Sequence, residues 1–150
     1  ETDNIKNKKI NNKVIHQSKL LKYFDGTYNL KKTEDELNKL LKSIKKNKKY
    51  FVTNKDYILL ESLISDGIKI SKKYNNLFEF NSANIPTDIL SLMSNNETAM
   101  VLLRIVEIIG EDSIASLDSD TLYFIISILN NLNLDNIRNK IILKTLPLKL

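Results

Sequence analysis

Residues 116–143 read SLDSDTLYFIISILNNLNLDNIRNKIIL, and the fold turns on how this stretch is taken. It offers three readings: an aspartate pair for a metal, the start of a membrane span, or two helices with polar beginnings. At 100° per residue, Leu122, Phe124, Ile125, Ile126, Ile128, Leu129 and Leu132 cover about 200° of arc. Tyr123, Ser127, Asn130 and Asn131 hold the polar side. A bilayer span needs roughly 20 apolar residues, and this run is interrupted at Ser127 and stopped at Asn130 and Asn131. The breadth of the apolar arc therefore predicts a helix over 119–132 that is packed on both flanks. Asn133-Leu134-Asp135 then makes a short connection. Asp135 is placed to cap a last helix over 136–146, carrying Ile137, Ile141, Ile142 and Leu146, and Pro147 ends it.

The preceding segment has the same character. Residues 97–109 predict a helix whose polar side is Glu97, Arg104 and Glu107, with Met100 among them. Val101, Leu102, Leu103, Ile105, Val106, Ile108 and Ile109 fill the remaining arc of about 220°, so this helix also calls for neighbours on two sides. Asn95 or Asn96 is the expected cap, and Gly110 the expected stop. Pro86 suits the first turn of a short helix over 87–94, where its missing N–H costs nothing.

Toward the N-terminus, Ile10, Val14, Leu21 and Phe24 share one face of a helix over 9–24, which Asp25-Gly26 ends. Residues 1–8 are polar and are expected to be frayed or disordered. Thr33-Glu34-Asp35-Glu36 has the spacing of a capping box. The helix it would open carries a narrow stripe of Leu37, Leu40, Leu41 and Ile44, and Lys45, Lys46, Lys48 and Lys49 close it. Thr53 starts a third helix with Tyr57, Leu59, Leu60, Leu63 and Ile64, stopped at Asp66-Gly67. Residues 40–44 and 59–63 echo each other at the spacing of consecutive helices in a hairpin. Residues 68–85 keep no clean period and predict a loop with one short helical turn, its aromatics covering the core.

The chain of 150 residues suits one domain. Three glycines and two prolines disfavour turn-dense β folds, and no cysteine is present for disulfides or thiolate metal sites. The sequence starts at Glu1 without a signal segment, as expected of a fragment or a processed form. The charge is divided: residues 1–55 hold 15 Lys against 6 acids, and residues 56–150 hold 8 cations against 12 acids. A basic half suggests an anionic partner. Yet 21 of the 23 cations are Lys, and Lys, Asn and Ile together fill 60 positions. That is the signature of AT-rich coding, and it weakens the message of any one lysine.

Candidate chemistry is sparse. Asp118 and Asp120, with Glu111 and Asp112, supply carboxylates for Mg²⁺ or Ca²⁺, but a calcium loop beginning at Asp118 would place Tyr123 where Gly belongs and Leu129 where Glu belongs. Helix capping by Asp118 is the better account. His16, the only histidine, has no partner nearby in sequence and is expected to be solvated. No glycine-flanked nucleophilic serine and no glycine-rich phosphate loop occurs. Lys45, Lys46, Lys48 and Lys49, followed by Tyr50 and Phe51, are the best candidates for anion or nucleic-acid contact. A solvated helix end followed by core aromatics is the better account of them.

The segments IPTDILSL, VLLRIVEIIGED and LDSDTLYFIISILNNLNLDNIRNKIIL resemble the C-terminal region of large helical proteins of alphaproteobacteria. The resemblance covers about residues 85–147 and rests on Ile109-Gly110, Leu117 to Leu122, Leu132-Asn133-Leu134 and Arg138. Asn133 stands where that pattern has a turn glycine, and Lys and Ile replace its alanines in the last helix. The resemblance implies the end piece of an α-solenoid and no particular activity.

The sequence thus predicts an all-α chain of stacked antiparallel helical hairpins, with a closed orthogonal bundle as the alternative. Residues 9–150 form one domain, expected to be the C-terminal part of a longer protein. The expected role is a non-enzymatic helical-repeat module that binds a protein partner or its own preceding domain, with no cofactor and no membrane span. The alternatives are a nucleic-acid binder using the Lys45–Lys49 cluster and, less favoured, an enzyme using the acids around Asp118. Nothing in the sequence assigns a compartment.

Overall fold

The computed structural model describes residues 15–47, 52–77 and 85–146. These are helical, with no strand among them. Helix α1 runs over 15–24 within the described residues, α2 over Leu30–Lys46, α3 over Asn54–Ser65, α4 over Thr87–Ser94, α5 over Thr98–Ile109, α6 over Ser119–Asn131 and α7 over Asp135–Thr145. Short 3-10 turns occupy Lys72–Leu77 and Ile114–Ser116. The start of the helix expected at residue 9, and the polar segment 1–8, lie outside the described residues.

Much of the predicted punctuation is present. Thr53 and Asp56 form a reciprocal capping box on α3. Asp118 caps α6, accepting from the Thr121 amide at 2.8 Å. Gly110 ends α5 with φ +61°, and Asn133 makes the α6–α7 turn at φ +55°, taking the left-handed backbone that a glycine would adopt more freely. The described part of the irregular segment contains the short helical turn expected, with Tyr74 buried, while Phe78 and Phe80 lie outside the described residues.

Three caps differ. The cap of helix α2 is Asn29, four residues before Thr33. Thr33 is buried inside the first turns and donates to the Asn29 carbonyl at 2.8 Å, while Glu36 turns inward toward α1. Asn95 and Asn96 end α4 and leave the cap of α5 to Glu97, which makes no capping bond. Asp135 is the first residue of α7, and Leu134 occupies the cap position. Only at α2, where Asn29 takes the place expected of Thr33, is the exchange one between residues that the local rules rank close together.

The core is built on α3 and α6. Asn54 donates to Asp120, the Tyr57 and Tyr123 rings lie 6.4 Å apart, Tyr123 donates to Glu61 at 2.6 Å, and Asn130 donates to Ser62 at 3.2 Å. Contacts that advance together along both helices mean that α3 and α6 run parallel. Parallel neighbours cannot be joined by a tight turn, so the chain between them crosses over through α4 and α5. Ile58, Leu59 and Leu63 on α3, and Leu122, Ile125, Ile126, Ile128 and Leu129 on α6, are buried. Helix α6 thus fulfils the breadth of its apolar arc, with α3 and α7 as its main partners. Burial raises the pKa of both Glu61 and Tyr123, and the Tyr123 bond opposes the shift on Glu61 while adding to that on Tyr123.

Because α3 and α6 are parallel, their C-terminal ends meet, and α1 ends beside them. Arg138 of α7 fills the junction with a side chain 0% exposed. Its guanidinium bonds both oxygens of Asp66, the residue capping α3, at 2.7 and 2.6 Å. It also donates to Asn130 on α6 at 3.1 Å, to Asn139 at 2.7 Å and to Asp135 at 3.3 Å. Its flat face lies 5.8 Å from the centre of the Phe24 ring at the end of α1, and Tyr23 donates to Asp66 at 2.8 Å. One cation so answers a carboxylate and the partial negative charge of converging helix ends.

Two outcomes follow from this junction. Arg138→Ala is expected to lower unfolding free energy by about 3–5 kcal/mol, because it leaves Asp66 buried without its cation. The double change Arg138→Met with Asp66→Leu costs much less, and denaturant unfolding separates the two. Tyr23 is pushed up to about 12 from 10.0, first by burial and then by its bond to Asp66. Its folded pKa exceeds its unfolded one, so its contribution is whole below pH 10 and fades as pH rises toward 12. The stability gap between the wild-type chain and Tyr23→Phe is therefore expected to shrink across that window.

Candidate functional surface

The carboxylates near α6 do not converge. Asp118 spends both oxygens on Thr121, accepting from its amide and its hydroxyl at 2.8 Å each, and these bonds hold its pKa below the ordinary value. Asp120 accepts from Asn54 of α3. Glu111 and Asp112 are exposed after the end of α5. Among the described residues no group of three potential ligands is placed to hold a metal ion. Asp118 acts as helix punctuation and Asp120 as an inter-helix contact.

The lysine cluster is divided. Lys45 donates to the Lys73 carbonyl at 3.1 Å and lies 5.9 Å from the centre of the Tyr74 ring, so it ties the end of α2 to the 3-10 turn. Lys46 is exposed. Lys48, Lys49, Tyr50 and Phe51 fall outside the described residues.

His16 departs from its expected solvated state. Its Nδ1 lies 2.6 Å from Glu36 Oε1, and both side chains are largely covered where α1 meets α2. Lys19 and Lys39 approach the same carboxylate at 3.7 and 3.8 Å. Next to it, Gln17 donates to the buried Asp56 of the α3 capping box. The pairs His16–Glu36, Gln17–Asp56 and Arg138–Asp66 escaped sequence reasoning because they join residues 20, 39 and 72 positions apart. A shallow depression lined by Tyr23, Asn29, Lys31, Asp66 and Asp135 borders the junction. Three of its polar groups are engaged within the fold: Tyr23 and Arg138 hold Asp66, and Asn29 caps α2.

The open surface of interest is on α5. Only Val101 and Ile105 of this helix are buried, and α4 is its principal neighbour among the described helices. Met100 is 49% exposed, Leu103 56% and Val106 62%. Ile108, and Leu90 on α4, are also exposed. The expected burial on two sides therefore fails here: the apolar arc is present in the sequence, but one flank has no covering element among the described residues. Arg104 sits at the edge of this face and bonds Asp88 at 2.6 Å and Glu107 at 2.7 Å. Those bonds raise the pKa of Arg104 and lower that of Asp88, so both remain charged.

No family model, no curated protein and no solved structure matches this chain.

If Asp118 serves only its helix, adding Mg²⁺ or Ca²⁺ leaves the thermal midpoint of the wild-type chain unchanged. Asp118→Ala lowers that midpoint while Asp118→Ser largely keeps it. Scanning fluorimetry with and without each cation checks both expectations.

Proposed function

We propose that this chain is a non-enzymatic helical interaction module that docks a protein partner, or a preceding domain of its own longer chain, on the exposed face of α5. The observation carrying the reading is the row Met100, Leu103 and Val106, three large apolar side chains about half exposed or more on a helix whose other side is buried. Single exposed apolar residues are ordinary, but a contiguous row of them marks contact surfaces. The resemblance of residues 85–147 to the terminal piece of larger helical proteins points the same way.

Of the two architectures set out from the sequence, the parallel packing of α3 on α6 favours a closed helical core. A regular stack of hairpins alternates direction at every helix, which would set α3 and α6 antiparallel. The α4–α5 and α6–α7 pairs supply hairpins, and the first of them borders the core with its outer face free. The docking role does not depend on further repeats.

Nucleic-acid binding through Lys45, Lys46, Lys48 and Lys49 is the second reading. The engagement of Lys45 with Lys73 and Tyr74 weakens it. Titration with DNA and RNA at two salt concentrations tests it, because phosphate contacts disappear steeply as salt rises.

The docking reading predicts a separation of stability from binding. Leu103→Gln with Val106→Gln is expected to change the unfolding midpoint little, since both side chains are already more than half exposed. Ile105→Ala, from the buried side of the same helix, is expected to cost about 2–5 kcal/mol. Parallel capture with the wild-type chain and the double variant should then differ in the proteins retained. Identical sets would remove α5 as the contact face.

A further inference from the structure

We propose that the partner of the α5 face is a lysine- or arginine-bearing amphipathic helix. This rests on the docking reading above and adds the chemistry of what docks.

The shape argument comes from the helix itself. At 100° per residue, Val106, Ala99, Leu103 and Met100 span an arc of about 120°, opposite Val101 and Ile105, and Glu107 falls within that arc between Leu103 and Met100. Met100, Leu103 and Val106 follow one another every three residues along the helix. That makes a ridge one helix long, the form that a second helix meets with its own apolar stripe.

The charge argument sets the partner's polar side. Between Lys73 and Arg138, Arg104 is the only cation, whereas residues 85–120 carry seven acids. Glu97 immediately precedes α5, Glu107 lies on it, and Glu111 and Asp112 follow it. Arg104 is neutralised by Asp88 and Glu107. The apolar row is therefore bounded at both ends by carboxylates without local counter-charge from Lys or Arg on α5. A helix with an apolar stripe and flanking cations matches both features, and its association is steered by the field.

The same charges disfavour the other occupants. An anionic lipid surface or a nucleic acid meets repulsion. A second copy laid antiparallel on α5 sets Glu97 against Glu111 and Asp112, and a parallel copy sets each acid against its equivalent. The lysine-rich α2 of a second copy has no apolar ridge to offer, because Leu37, Leu40, Leu41 and Ile44 are buried in its own core.

Two synthetic amphipathic peptides of equal length test the proposal. Both carry the same leucine stripe, one flanked by lysines and the other by glutamates. Each is titrated by calorimetry into the 150-residue chain and into its Leu103→Gln/Val106→Gln variant, at low and at physiological salt. The expected result is that the lysine peptide binds the wild-type chain, weakens as salt rises, and loses at least about tenfold in affinity in the variant, or about 1.4 kcal/mol. The glutamate peptide should not bind. Equal binding of both peptides, abolished by the variant, would overturn the charge inference while leaving the docking face in place. Equal binding of the lysine peptide to wild-type chain and variant would overturn both. A dimer in sedimentation, or capture by anionic vesicles, that the same substitutions abolish would overturn the proposal in favour of a second copy or a lipid surface.

Discussion

The bond between Arg138 and Asp66 is the constraint on which the packing converges. Three helices end near one point, and helix ends carry unpaired carbonyls with partial negative charge. Asp66 adds a full charge at the same place. Without a buried cation such a junction would be forced apart or flooded with water. The bidentate geometry, at 2.7 and 2.6 Å, fixes the angle of the guanidinium, and Phe24 and Asn130 then hold its remaining faces. Arg138 stands in the first turn of α7, where a cation is unfavourable for its own helix. The charges of the neighbouring helices outweigh that local cost.

This junction also explains the route of the chain. If the C-terminal ends of α3 and α6 must share one cation, the two helices run parallel. The segment between them then has to return along the outside. Helices α4 and α5 make that return, and a returning hairpin packs on one side only. The exposed row on α5 is in this sense a consequence of the central pairing. It places an apolar face at the margin of the molecule, in the most acidic part of the sequence.

Both arginines occupy special positions in a chain whose other 21 cations are lysines. Arg138 joins Asp66 and Asp135, and Arg104 joins Asp88 and Glu107. The planar fork of the guanidinium serves two carboxylates at once, which a lysine ammonium does less well. In a composition so biased toward lysine, the rare arginine was the one local signal that could have located the network, although not its partner.

Local chemistry was legible where it acts over a few residues. The caps at Thr53 and Asp118, the stops at Gly67 and Gly110, the left-handed turn at Asn133 and the all-helical class all follow from side chains that satisfy or free backbone groups within a turn. The breadth of the apolar arcs on α5 and α6 was equally plain in the sequence. The tertiary structure decided which of those arcs is covered. It buries α6 between α3 and α7 and leaves the outer side of α5 open. It also decided that Thr33 and Glu36 turn inward, and that His16 meets Glu36. The physical reason is the same throughout: a helical period states how much apolar surface a segment carries, whereas its neighbours are chosen by charges and shapes brought together from distant parts of the chain.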